Sequence, residues 1–183
     1  MAGFEETLVA AREGEAWALG RLFRSLYPRF VCYVGAVVPT DAEDVAADAW
    51  LDVARGLSRF EGDERAFRAW AFTIARRRLL DLQRSRARRR TDPVDPQELV
   101  GAGGAGDVEE EALTSIGTGW AIRLIISSLS PDQAEVVILR VIGQLGVDEV
   151  AAIMGKRRGT VRVLQHRALR RLAQVLKGQG VTP

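Results

Sequence analysis

Residues 130–176 read SPDQAEVVILRVIGQLGVDEVAAIMGKRRGTVRVLQHRALRRLAQVL, and this stretch sets the reading of the whole chain. Ser130 before Pro131 predicts a cap with proline in the first helical position, where its missing N–H costs nothing. It launches a helix through DQAEVVILRVIGQ that Gly146 is expected to end. Residues 147–154 predict a short helix, Gly155 a tight turn and 158–176 a long helix. A short helix, a turn at glycine and a longer basic helix make the helix-turn-helix pattern. In the long helix Arg158, Arg162, His166 and Arg170 step by four into one polar stripe. Leu164, Ala168 and Leu172 fall about 200° around the axis at the roughly 100° per residue of an α-helix. One face therefore packs and the other reaches outward. Gly159 and Thr160 lie near the N-terminus, where free N–H groups favour anions, so the backbone there can approach a phosphate. Arg158 and Arg162 then reach base edges in a duplex major groove, with Gln165 as an adenine reader. A solvated amphipathic helix is the plain alternative; the preceding helix and turn favour groove binding.

The rest of the composition narrows the function classes. In 183 residues there are one histidine, one cysteine and 26 Lys plus Arg, of which only Lys156 and Lys177 are lysine. Nucleophiles, bases and metal ligands are scarce, so no catalytic residue, metal or cofactor is expected. Cys32 alone can neither close an internal disulfide nor hold a zinc, and inside an apolar run it reads as a small buried hydrophobe. No leader-like segment opens the chain and no apolar run reaches the roughly 18–20 residues of a membrane span. These features predict a protein of the reducing cytoplasm without membrane insertion.

The net charge of +2 hides an alternation along the chain. Residues 1–65 are net −5, 66–91 net +8, 92–135 net −8 and 136–183 net +7. Two basic blocks separated by an acidic one suit a protein that meets polyphosphate in two places. The stretch TDPVDPQELVGAGGAGDVEEEALTSIG, from residue 91, combines two prolines, a Gly/Ala run and an acidic cluster, and predicts a flexible linker. The expected organisation is all-α: a helical domain at 1–90, a flexible acidic linker at 91–118, a second helical domain at 119–178 and a tail at 179–183. The second domain is expected to open with a helix containing Trp120, Ile122, Leu124, Ile125 and Ile126.

Within the first domain, Leu19, Leu22, Phe23, Leu26, Phe30 and Val34 recur at three- and four-residue steps and predict one buried stripe. Pro39, Thr40 and Asp41 break the chain before a helix over 41–57, in which Val45, Ala49, Val53 and Leu57 line one side. Asp44, Asp48 and Asp52 form a carboxylate line beside it, either a solvated face or a docking surface for a basic partner. A metal site needs more ligands than one helix face supplies. After a polar loop at 59–65 comes AFRAWAFTIARRRLLDLQRSRARRR, where Phe67, Trp70, Ala71 and Ile74 keep helical spacing. Residues 76–90 hold eight arginines and one aspartate, a phosphate-binding strip by charge alone. Among the neighbouring aromatics Phe67 and Trp70 read as core, while Phe60, in a charged loop, is a candidate for stacking on an unpaired base.

The segments YPRFVCYV (27–34), DAEDVAADAWLDVARGLSRFEGD (41–63) and FRAWAFTIARRRLLDLQR (67–84) resemble region 2 of bacterial RNA polymerase sigma factors, sigma-70 family, extracytoplasmic-function (ECF) group. Residues 129–172 resemble their region 4, in the family's order and spacing. The resemblance implies a non-catalytic transcription initiation factor that docks on core RNA polymerase and places it on promoter DNA. It implies that Asp44, Asp48 and Asp52 meet a basic coiled coil of the largest polymerase subunit. It implies that the loop and helix carrying Arg59, Phe60, Arg65, Arg68, Arg76, Arg77 and Arg84 open and read the minus-ten element, holding a flipped base. It also implies that Arg158, Thr160, Arg162, Gln165, His166 and Arg170 read the minus-thirty-five element, and that an anti-sigma factor is a further partner. The chain departs from the family at Arg77, where asparagine is frequent, and at 163–167, where VLQHR replaces a common Ser-Arg-Leu-His-Arg. Two rival readings are a LuxR-type helix-turn-helix regulator, for which the first half lacks alternating strands, and an RNA-binding adaptor using the arginine strip.

Overall fold

A computed structural model describes residues 3–91 and 127–178, without the side chains of 89–91. The described chain forms helices α1 (Phe4–Arg12), α2 (Ala16–Gly35), α3 (Ala42–Gly56), α4 (Glu64–Thr91), α5 (Pro131–Val141), α6 (Val147–Met154) and α7 (Arg158–Gly178). Short 3-10 turns at Pro39–Asp41 and Leu57–Arg59 flank α3, and no strand occurs among the described residues. The expected acidic linker beyond residue 91, the helix expected at 120–126 and the tail at 179–183 lie outside them.

Helices α2, α3 and α4 pack around alanine positions that let backbones approach and phenylalanines that fill the space between. Ala46, Ala49, Ala71 and Ala75 are fully buried, as are Phe30, Tyr33 and Phe72. The Phe30 and Phe72 rings meet edge to face at 5.3 Å and 87°, a favoured aromatic geometry. Burying each such ring is worth about 1.5–3 kcal/mol. α1, which the sequence reading left unassigned, lays Leu8 and Ala11 on this core, and Phe4 sits 5.6 Å from Phe67. Its buried Thr7 donates its hydroxyl to the Gly3 carbonyl at 2.8 Å, which satisfies that polar group at the edge of the core.

Two expectations need correction. Phe23 is not in the buried stripe: it is 36% exposed, because α2 turns it toward Tyr27 and Trp50 on the outside of the α2–α3 pair. The helix expected to run to Gly146 stops at Val141. Gln144 then takes a left-handed φ of 53° that ends the helix, and Gly146 is the N-cap of α6. Ser130 and Pro131 do open α5, with Gln133 bonded back to the Ser130 N–H at 3.2 Å. Cys32 is half-buried, and burial pushes its thiol pKa up.

α6 and α7 form the helix-turn-helix. Gly155 carries φ +63°, a left-handed turn that glycine adopts without penalty. Val161 and Ala168 on α7 are fully buried and Leu164 and Leu172 half-buried, so the expected packing face is the observed one. The two halves of the chain share a core: Val136, Leu139, Leu145 and Val150 join the same apolar cluster as Phe30, Phe72 and Leu79.

Candidate nucleic-acid and partner interfaces

The expected sites fall on three surfaces. On the outer face of α3, Asp44 and Asp48 are exposed and join no ion pair among the described residues. Asp52 differs. Its carboxylate receives Arg78 of α4, Nε to Oδ2 at 2.6 Å, and Arg55 at 3.5 Å, so it braces α3 to α4. The Arg78 pKa rises mainly through that hydrogen bond. Beside Asp44 and Asp48 stands an aromatic ledge absent from the sequence reading. Phe23 stacks on Tyr27 at 4.6 Å and meets the edge of Trp50 at 5.3 Å, with Leu51 47% exposed nearby in sequence. Burial first, then the charges of Glu43 and Asp44, raise the Tyr27 pKa, which places the ledge within the field of the acidic face. The available signal was Trp50-Leu51 placed between two aspartates, which leaves Trp50 half-buried and Leu51 exposed.

The second surface is the start and flank of α4. Gly62, at φ +145°, allows the loop to turn under Phe60, and the Asp63 carboxylate caps α4 by accepting the Ala66 N–H at 2.7 Å. Phe60 is 8% exposed and packs on Phe67 at 5.4 Å and Trp70 at 5.0 Å. Its ring shapes the loop from inside rather than presenting a face to solvent. Arg59, Arg77 and Arg84 are exposed, Arg84 with Asp81 at 3.4 Å. Arg65, Arg68 and Arg76 are engaged with α5, α6 and the turn between them. Arg65 Nε lies 2.5 Å from Glu149 Oε1, Arg68 Nη1 3.3 Å from Gln144 Oε1 and Arg76 Nε 2.8 Å from Glu135 Oε1. Further along, Arg86 pairs with Asp41. The arginine strip is thus partly neutralised by its own protein.

The third surface is the outer face of α7. Arg162, His166 and Arg170 are exposed and unpaired among the described residues, Thr160 is exposed and Gln165 half-buried. Arg158 donates to Asp148 of α6, Nη2 to Oδ2 at 2.8 Å, which ties the two helices of the motif together. A Cβ at Gly159 would meet nothing within 4 Å, so packing inside the chain does not require glycine there. No group of His, Cys, Asp and Glu among the described residues could hold a metal, and no described helix is long and apolar enough to cross a membrane.

Family models match the chain twice: Sigma-70 region 2 over residues 22–89 and Sigma-70, region 4 over 120–172. The chain belongs to the sigma-70 family. Its curated relatives fix the group as ECF. The ECF RNA polymerase sigma factor BldN of Streptomyces coelicolor is 34% identical over 93% of this chain, which spans 65% of that protein. ShbA of Streptomyces griseus is 33% identical, covering 88% of this chain and 89% of its own length. SigD of Mycobacterium tuberculosis is 30% identical over 96% and 85%. Two solved structures share the fold: CnrH with the cytosolic domain of CnrY (TM-score 0.60, 20% identity, 94% of this chain and 96% of that one), and RpoE of Bartonella quintana with the anti-sigma factor NepR (TM-score 0.60, 24%, 86% and 96%). A sigma factor directs promoter recognition at transcription initiation and is a non-enzymatic subunit of the polymerase. α2 to α4 contain the region 2 match, α1 precedes it, and α5 to α7 lie in or overlap the region 4 match.

Proposed function

We propose that this sigma factor divides its work among the three surfaces. Asp44 and Asp48, with the Phe23–Tyr27–Trp50 ledge, dock on core RNA polymerase, and Asp52 holds α3 in register for that contact. A few well-packed aromatics beside complementary charges are the composition that dominates interface energies. The surface of α4 and its leading loop, with Arg59, Arg65, Arg68, Arg76, Arg77 and Arg84, takes the minus-ten element as it opens, and buried Phe60 sets the loop's shape. The face of α7 with Arg158, Thr160, Arg162, Gln165, His166 and Arg170 reads the minus-thirty-five element in duplex form. Residues 1–90 form the polymerase and minus-ten module, 119–178 the upstream module, and 91–118 a tether between them. The working compartment is the cytoplasm. CnrH and RpoE were solved with CnrY and NepR, which supports an anti-sigma partner here as well.

The observation that carries this reading is the helix-turn-helix whose second helix buries Val161 and Ala168 while Arg162, His166 and Arg170 stay open to solvent. Run-off transcription with core polymerase on a promoter library tests it. Transcripts that require this protein and share paired upstream and downstream motifs are expected. Polymerase that initiates equally well without it, or tight binding to generic RNA without polymerase, would contradict the reading.

A further inference from the structure

Among the described residues two large apolar side chains of α7 stand exposed, Val163 at 48% and Leu169 at 51%. A lone exposed apolar side chain is ordinary on a protein surface, so what matters is where each one stands. With Arg158 as the origin and about 100° per residue, buried Val161 and Ala168 fall at about 300° and about 280°. The outward face therefore centres at about 110°. Gly159, Val163, His166 and Arg170 lie within about 30° of that centre, and Arg162 and Arg167 about 70° to either side. Leu169 lies about 90° from the centre and more than a turn beyond Val163. Valine is thus set in the middle of a cationic face whose Arg162, His166 and Arg170 are exposed and unpaired among the described residues.

Gly159, one turn before Val163, adds a second observation. Glycine is a poor helix former, and a Cβ at this position would meet nothing within 4 Å. Neither helix propensity nor packing inside the chain accounts for it, whereas close approach by another surface does. Gly159 and Val163 together make a strip without side-chain donors or acceptors, flanked by guanidiniums. Such a strip cannot hold a phosphate, and the apolar group that a base pair presents in the major groove is the thymine 5-methyl. A cytosine or adenine amino group set against the valine would lose water and gain no partner, which selects against both. We infer that Val163 is a specificity-determining residue that seats on a thymine 5-methyl group of the upstream duplex, with Gly159 letting α7 settle to that depth. This rests on the reading that α7 enters the major groove there. Arg162 and Arg167 then hold the polar groups of the DNA on either side.

Replacing thymine by uracil removes that methyl group and leaves every hydrogen-bonding group of the base pair in place. The probe is a fluorescein-labelled promoter duplex with an upstream element selected from the promoter library, carrying uracil for thymine at one position at a time on each strand. Holoenzymes made with the parent, Val163→Ser and Leu169→Ser are titrated at one salt concentration. The parent is expected to lose about fourfold in affinity at one position, the factor for one buried methyl group. Val163→Ser is expected to bind thymine and uracil equally at that position, while Leu169→Ser keeps the parent's ratio. Val163→Thr, which keeps the shape and one methyl group, is expected to fall between.

A parent that tolerates uracil at every upstream position, or that selects an element without thymine, would overturn the inference and leave a protein surface as the occupant of the strip. So would a uracil ratio that folded Val163→Ser, checked by circular dichroism, leaves unchanged, or one that Leu169→Ser also abolishes. Scrambling the whole upstream duplex separates this from failure of the underlying reading. Affinity lost on scrambling but indifferent to uracil removes the role of Val163 alone. Affinity unchanged by scrambling removes α7 as the reader of that duplex, and the inference with it.

Discussion

Arg158 and Arg162 stand one turn apart on α7, yet they start from different states. Arg162 is exposed and has no ion-pair partner among the described residues, so nothing inside the protein competes for its guanidinium. If it makes a bidentate contact to a base edge, Arg162→Ala costs about 1–3 kcal/mol, roughly 5- to 150-fold in affinity, and relaxes preference at one upstream position. Arg158 must first leave Asp148. Their side chains are 65% and 50% exposed, and a pair so exposed is worth about 0–1 kcal/mol. Arg158→Ala is accordingly expected to cost up to about 1 kcal/mol less than Arg162→Ala, and Asp148→Asn, by freeing Arg158, to tighten upstream binding by up to about fivefold. The assay is competition by fluorescence anisotropy, with holoenzyme and a set of duplexes substituted at each upstream position, at one fixed salt concentration. A uniform loss across all sequences would make Arg162 a phosphate contact. A larger loss for Arg158→Ala at every position, or weaker binding by Asp148→Asn, would refute the reasoning.

Asp44→Lys with Asp48→Lys is expected to weaken co-purification with core polymerase by more than about tenfold, or about 1.4 kcal/mol, with the circular dichroism spectrum unchanged. Asp52→Asn should act on stability instead, lowering the chemical-denaturation free energy by about 1 kcal/mol as the Arg78 brace is lost. Phe72→Ala empties a fully buried position and should cost about 3–5 kcal/mol in the same experiment. The Glu149 carboxyl lies below its ordinary value because Arg65 binds its charged form. Its contribution is therefore complete above about pH 4.3 and is lost as pH falls through the lowered value. Glu149→Gln should remove that part of the acid sensitivity when separation of α4 from α6 is followed by hydrogen exchange; an unchanged acid profile would exclude Glu149 as its source.

What was legible in the sequence followed from local signals. Ser130-Pro131, Gly155 and the four-step stripe of α7 each express a backbone or packing preference within a few residues, and the helix-turn-helix appears where they put it. The same signals failed where a local cue had two uses. Gly146 reads equally as the end of one helix or the cap of the next, and only the φ of Gln144 decides between them. Phe23 shares the spacing of Leu22 and Leu26 but sits at the edge of the stripe, where neighbours on α3 turn it outward. Asp52 looked like Asp44 and Asp48 because all three share one helix face; Arg78, 26 residues away, makes it structural. The contact between the two halves was the least accessible, since Glu135 meets Tyr33 and Arg76 across 102 and 59 residues. Its one sequence trace is that Asp148 and Glu149 are the only acidic residues in the basic block 136–183, and both are paired.

Photo-crosslinking from three exposed positions, Asp48, Arg77 and Arg162, in one promoter complex tests the division of labour among the surfaces. Each position carries the crosslinker in turn, with core polymerase and promoter DNA labelled separately. Position 48 is expected to label polymerase and no DNA, position 77 the strand near minus ten, and position 162 the duplex near minus thirty-five. DNA labelled from position 48, or polymerase alone from position 162, would contradict the assignment.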